Sequence, residues 1–125
     1  MRFVLAAALV VGCLAGCSGR PKTAPVTGRL THKGRPLTAG SVYLHPAAGN
    51  TWAGEPPSSV LQVDGSFEMR TFPHGLGVPP GSWKVTVSPA LASRVGKPEL
   101  GDPARTPWTL DVPDAGLADT LFEVK

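Results

Sequence analysis

Cysteine is nearly absent from this chain of 125 residues: only Cys13 and Cys17 occur, both close to the start. From Ser18 onward there is no thiol. That excludes an internal disulfide, a cysteine nucleophile and a thiolate metal site over that stretch. Long hydrophobic runs are missing as well. The longest, from Phe3 to Leu14, falls well short of the ~20 apolar residues a spanning helix needs. A surplus of one charge is also lacking, with 12 Lys and Arg against 9 Asp and Glu. The basic residues are scattered instead of clustered, so no nucleic-acid partner is expected. There is no Walker loop, no dinucleotide fingerprint, no paired-carboxylate spacing and no Gly-x-Ser-x-Gly elbow. Uninterrupted helical periodicity is absent too. The 14 prolines break every apolar pattern of period 3.6, so no helix is expected beyond Cys17.

What is present begins with Met1-Arg2, an apolar stretch, and the small residues Ala15-Gly16 ahead of Cys17. A basic start, a short apolar region and a small-residue break are the parts of a cleaved secretory signal. Because the break falls before a cysteine, Leu14-Ala15-Gly16-Cys17 resembles the lipobox of bacterial lipoproteins. That resemblance implies cleavage after Gly16, loss of the signal helix 1–16, diacylglycerol on the Cys17 thiol and acylation of the new amino terminus. Two or more acyl chains, at ~0.8 kcal/mol per buried methylene, anchor stably where one chain holds only reversibly. The expected location is the cell envelope, anchored in membrane lipid through acylated Cys17. Ser18 fits the periplasmic face of the outer membrane if the host is Gram-negative. Residues 17–25 then form the lipidated cysteine and a polar, proline-containing tether. Its basic residues, Arg20 and Lys22, are expected to be solvated, as are Arg29, Lys33 and Arg35 just beyond it.

Residues 26–125 are expected to form one small domain. Between the proline and glycine breaks the apolar residues alternate, as in half-buried strands. Val26, Gly28 and Leu30 alternate with polar neighbours; so do Val42 and Leu44, then Trp83, Val85 and Val87, then Trp108, Leu110 and Val112, with Phe122 and Val124 at the end. Lys33-Gly34-Arg35-Pro36 reads as a turn. At Asp64-Gly65 a three-residue loop, with Gly65 in the left-handed region, sets Leu61 opposite Phe67 and turns Val60, Gln62, Ser66 and Glu68 outward. The pattern predicts an all-β, seven- to eight-stranded antiparallel β-sandwich. Its expected core is Trp83, Trp108, Phe67, Phe122, Leu30, Leu44, Leu61, Val85, Val87 and Leu110.

Val26-Thr27-Gly28-Arg29-Leu30, Lys33-Gly34-Arg35-Pro36-Leu37 and Ala39-Gly40-Ser41-Val42-Tyr43-Leu44 resemble the opening of carboxypeptidase regulatory-like domains. Val63-Asp64-Gly65-Ser66-Phe67 is similar to their central hairpin, and Pro80-Gly81-Ser82-Trp83-Lys84-Val85-Thr86-Val87 to their closing strand. The resemblance implies a transthyretin-like (prealbumin-like) sandwich; its motifs are turn glycines and core alternation, which speak to fold and not to activity. Lys33 and Gln62 stand where the family usually has Asp or Asn and an acidic residue, which weakens calcium binding at that hairpin. Enzymes on related folds do not fit either. The chain ends Leu121-Phe122-Glu123-Val124-Lys125, unlike the Tyr-Arg-Gly-Ser tail of hydroxyisourate hydrolases. Its single Tyr43 cannot supply the two tyrosines of intradiol dioxygenases.

His32, His45 and His74 lie on separate segments without zinc spacing, so no metal or other cofactor is expected, and no enzyme. The expected role is a non-enzymatic binding or assembly module that meets an unknown envelope protein or glycan through its loops. Edge-strand pairing as a structural subunit, and carbohydrate recognition, are the alternatives. Three loops are long: Pro46 to Pro57, Thr71 to Pro80, and Pro89 to Arg105. Trp52 and His74 are their candidate binding residues, with Trp52 open to either exposure or packing against a sheet edge.

Overall fold

Alternating apolar residues become strands where turn residues let the chain reverse. The computed structural model describes residues 21–125; the signal, Gly16 and Cys17 lie outside the described residues. The strands are β1 (Val26–His32), β2 (Arg35–Pro36), β3 (Ser41–Pro46), β4 (Ser58–Val60), β5 (Ser66–Glu68), β6 (Arg70–Thr71), β7 (Gly75–Leu76), β8 (Gly81–Val87), β9 (Thr109–Val112) and β10 (Leu117–Val124). Seven of these have three or more residues.

They form two sheets that pack face to face. The larger runs β7-β6-β4-β3-β8-β9; in the smaller, β10 flanks one side of β1, while β2 and β5 share the other. The all-β sandwich expected from alternation is the observed fold. The strand ladders are antiparallel apart from β1 with β10, which run parallel. A parallel partner needs a long crossover. Here most of the domain supplies it, since β10 is the last strand and β1 the first. The pairing slips once: Val26 faces Leu117 but Gly28 faces Thr120. The extra residue in β10 is absorbed where Asp119 has a φ of 55°. At that bulge Gly28 lies against the Thr120 carbonyl and the Phe67 ring, leaving no room for a Cβ.

The turns follow the sequence. Lys33 and Gly34, with φ of 51° and 76°, make a two-residue turn in which His32 faces Arg35. In the second hairpin the Gln62 N–H donates to the Ser66 carbonyl and the Gly65 N–H to the Gln62 carbonyl, both at 2.9 Å. Gly65 has a φ of 76°. This is the expected three-residue loop. Leu61 and Phe67 are buried, and Val60, Gln62 and Glu68 are exposed. Sequence did not show that this hairpin changes sheets, with β4 in the larger and β5 in the smaller.

The core centres on Trp83, which is fully buried and donates its indole N–H to the Pro79 carbonyl at 3.0 Å. Around it lie the expected Leu30, Leu44, Leu61, Phe67, Val85, Val87 and Leu110. Two expected members, Trp108 and Phe122, are only half-buried. Phe122 sits on edge strand β10 and Trp108 just before edge strand β9, so each has a neighbour on one side. They pack on each other with ring centroids 5.2 Å apart. Met69, Val78, Leu91 and Leu100 belong to the core as well. Ala24, assigned to the tether by sequence, is buried and exchanges two 2.8 Å backbone hydrogen bonds with Val78.

The absence of helix was a wrong expectation. Pro89–Arg94 is an α-helix (α1), and Pro98–Gly101 is a 3-10 turn. Both open on a proline, where its fixed φ suits a helix start and its missing N–H loses no bond. The prolines of this segment start helices instead of breaking them. The buried Leu91, Ala92 and Leu100 hold both pieces to the core.

Candidate functional site

The two loop residues singled out from sequence meet in space. The Trp52 and His74 rings lie edge to face, with centroids 6.3 Å apart and planes at 74°. Trp52 follows β3 in the long 47–57 loop. The Asn50 side chain holds that loop: its amide donates to the Ser82 carbonyl at 2.8 Å, and its carbonyl accepts the Trp52 N–H at 3.0 Å. The indole N–H donates to the Glu55 carbonyl at 2.9 Å, and the ring lies over Gly54, partly buried against the core. Trp52 is therefore a packed cap on the sheet, not a free aromatic platform. His74 occupies the turn between β6 and β7, so the contact ties the long loop to that hairpin.

The other histidines are elsewhere. His45 on β3 has its Nε2 3.0 Å from the Thr86 hydroxyl on β8. Burial holds its pKa below the ordinary 6.5. Thr86 is itself only 2% exposed, so the contact adds a side-chain tie between β3 and β8. Among the described residues no three His, Cys, Asp or Glu side chains converge as metal ligands.

A surface that sequence reasoning missed is an open groove of about 1140 Å³. Its floor is the outer face of the smaller sheet: Thr27 and Arg29 of β1, Ser66 and Glu68 of β5, and Asp119 and Leu121 of β10. These residues alternate with the core-facing Val26, Gly28, Leu30 and Phe67. Its wall comes from the other sheet, with Ser58, Ser59 and Val60 of β4, Arg70 of β6, and Phe72, Pro73 and Gly75 at the following turn. The two walls meet because the β4–β5 hairpin crosses between sheets. Ser59 bridges them, its hydroxyl accepting the Glu68 N–H at 3.1 Å.

The groove is amphiphilic and balanced in charge. Arg29 and Arg70 stand with Glu68 and Asp119, beside four hydroxyls and the apolar Val60, Phe72, Pro73 and Leu121. Val60, Phe72 and Leu121 are 64%, 75% and 62% exposed, unusual for large apolar side chains grouped together. At one end Asp64 accepts the Ser66 N–H at 3.0 Å and lies 3.7 Å from Arg29. Hydrogen bonding from the Ser66 hydroxyl, then from its N–H, with a smaller pull from Arg29, holds the Asp64 carboxyl below its ordinary value. The signal for this site was partly legible, since Val60 was placed outward by the hairpin register. Phe72 and Leu121 gave no such signal, because their exposure depends on which strands end beside them.

Comparison of the chain with known protein families, with curated proteins and with solved structures finds no match.

Proposed function

We propose that this chain is a membrane-anchored bacterial lipoprotein of the cell envelope, with a β-sandwich of the carboxypeptidase regulatory-like kind that works as a non-enzymatic binding or assembly module. The groove is its contact surface. The observation that carries this reading is the grouping of Val60, Phe72 and Leu121 around a charge-balanced, hydroxyl-lined floor. Such a surface suits an extended, uncharged or mixed-charge partner better than a polyanion or a metal. Support for a non-catalytic role comes from the serines, since no histidine lines the groove and Ser59 is committed to backbone groups. The lipobox supports the anchor. The motif glycines support the family: Gly34, Gly65 and Gly81 have φ of 76°, 76° and 140°, and Gly28 has no space for a side chain.

The test is photocrosslinking in intact cells from a reactive residue placed at Ser66 in the groove, with the same residue at Thr109 on β9 as reference. Mass spectrometry identifies the adducts. A dominant protein adduct from Ser66 alone, lost in Cys17→Ser, is the expected result. Equal labelling from Thr109, or a fully processed, membrane-bound Cys17→Ser protein, would sink the reading.

One observation favours a second reading, a structural subunit recruiting its partner by strand pairing. β10 is eight residues long and has β1 as its only ladder partner among the described residues. The bulge at Asp119 interrupts this edge, a common way to blunt one, so pairing would use Leu121–Val124. A proline at exposed Glu123 of that half, outside the groove lining, abolishes recruitment under this reading. Under the groove reading it spares recruitment.

A further inference from the structure

The hairpin made by β6 and β7 has an outer face that the domain leaves uncovered. Thr71 points inward and is buried, its hydroxyl donating to the Gly77 carbonyl at 2.7 Å. Its neighbours Arg70 and Phe72 therefore point outward, and Leu76 joins them because it pairs directly with Arg70. Phe72 is 75% and Leu76 52% exposed, and Arg70 forms no ion pair among the described residues. An aromatic, an aliphatic and an arginine side by side at a loop tip match what sits at a membrane interface, where apolar groups enter the headgroup layer and a cation meets lipid phosphate.

The chain brings this face to the place where an anchor would hold it. The Thr23 hydroxyl donates to the Leu76 carbonyl at 3.4 Å, and Ala24 is locked to Val78. The described chain therefore joins the domain alongside β7. Five residues separate Cys17 from Thr23, so six Cα-to-Cα steps give a reach of at most about 22 Å. A domain leashed this short at one corner presents that corner to the bilayer at high effective concentration, so contacts too weak to bind by themselves are populated.

We propose that the outer face of the β6–β7 hairpin, Arg70, Phe72 and Leu76, rests on the surface of an anionic bilayer and, with the acylated Cys17, fixes how the domain stands on the membrane. This rests on the lipoprotein reading above. The hairpin also forms a wall of the groove, so the groove then opens at the level of the headgroups, and its partner is met at the membrane surface instead of out in the aqueous space.

The test uses the lipidated, mature protein in vesicles of phosphatidylethanolamine and phosphatidylglycerol. With Cys17 acylated and Cys13 cleaved away, an introduced cysteine is the only free thiol. An environment-sensitive fluorophore is placed in turn at Phe72→Cys, Leu76→Cys and Thr109→Cys. Thr109 lies on β9, the opposite edge of the larger sheet, five strand spacings or about 24 Å away. All three positions are exposed or half-exposed, so the fold is not at risk. The expected result is blue-shifted emission at 72 and 76 that is lost on quenching by brominated lipid, with neither effect at 109. Water-like emission at 72 and 76, in protein whose Cys17 is acylated by mass spectrometry, overturns this proposal and leaves the anchor standing. A blue shift that brominated lipid does not quench also overturns it, because it reports contact with protein. An unmodified Cys17 overturns the anchor and this proposal together.

Discussion

The two ends of the larger sheet are held together by different forces. At one end β8 and β9 carry Trp83, Val85, Val87, Leu110 and Val112 into the core, and the helix α1 with the following 3-10 turn adds Leu91 and Leu100. At the other end β6 and β7 are two residues each. They are held by the Thr71 hydroxyl, by the Thr23 contact and by the Trp52–His74 bracket, while Phe72 and Leu76 face outward. The first end is stabilised by burial, the second by a few polar contacts and one aromatic pair. A sandwich of this size can hold an uncovered edge in shape without burying it, provided the opposite end supplies the stability.

Substitutions sharpen that contrast in graded steps. Trp83→Ala should cost about 3–5 kcal/mol, a large share of a small domain's stability, and appear as loss of cooperative urea unfolding. Gly28→Ala should follow at about 2–3 kcal/mol, because the new methyl group meets the Thr120 carbonyl and the Phe67 ring at the bulge. Trp52→Ala, at the lightly held end, should cost about 1–2 kcal/mol for a half-buried indole. It should also raise hydrogen exchange in β6 and β7 while leaving β8 and β9 protected. If Trp52→Ala loosened β8 and β9 equally, the two ends would be one cooperative unit and the contrast would fail. Phe72→Ser and Leu76→Ser should change stability by less than about 0.5 kcal/mol, a near-zero effect that separates exposed side chains from those the fold depends on.

The smallest expected effect is with pH. Burial favours the neutral His45 imidazole, so the folded chain takes up this proton at lower pH than the unfolded chain does. His45 therefore leaves stability unchanged above its ordinary value of 6.5. As pH falls from there through the lowered folded value, the unfolded state binds more protons and stability drops, levelling off below it. Urea midpoints measured across that range should decline modestly, and His45→Gln should flatten the decline.

Much of the fold was legible because its signals are local. Period-two alternation set β1, β3, β8 and β9, and the Lys33-Gly34 and Asp64-Gly65 pairs set two turns. The burial of Leu61 with Phe67 followed from choosing the loop length that hides the two bulkier side chains. The misses share a cause, which is that they depend on neighbours. At Pro89 and Pro98 the sequence alone suggests a helix break, although at a first helical position proline is a starter, and Leu91 needs a core to fall into. The size of Trp108 and Phe122 suggests the interior, yet both are only partly buried because they lie at sheet edges. Trp52 and His74 lie on separate loops, and nothing in their spacing of 22 positions foretells the contact.

By itself the sequence determined the strand faces and the turn geometry, because each depends on residues a few positions apart. The parallel docking of β10 beside β1, the sheet change at the β4–β5 hairpin and the groove between the sheets were decided only by tertiary structure. They arise from contacts across dozens of residues, where packing the core around Trp83 selects the arrangement and local preference does not.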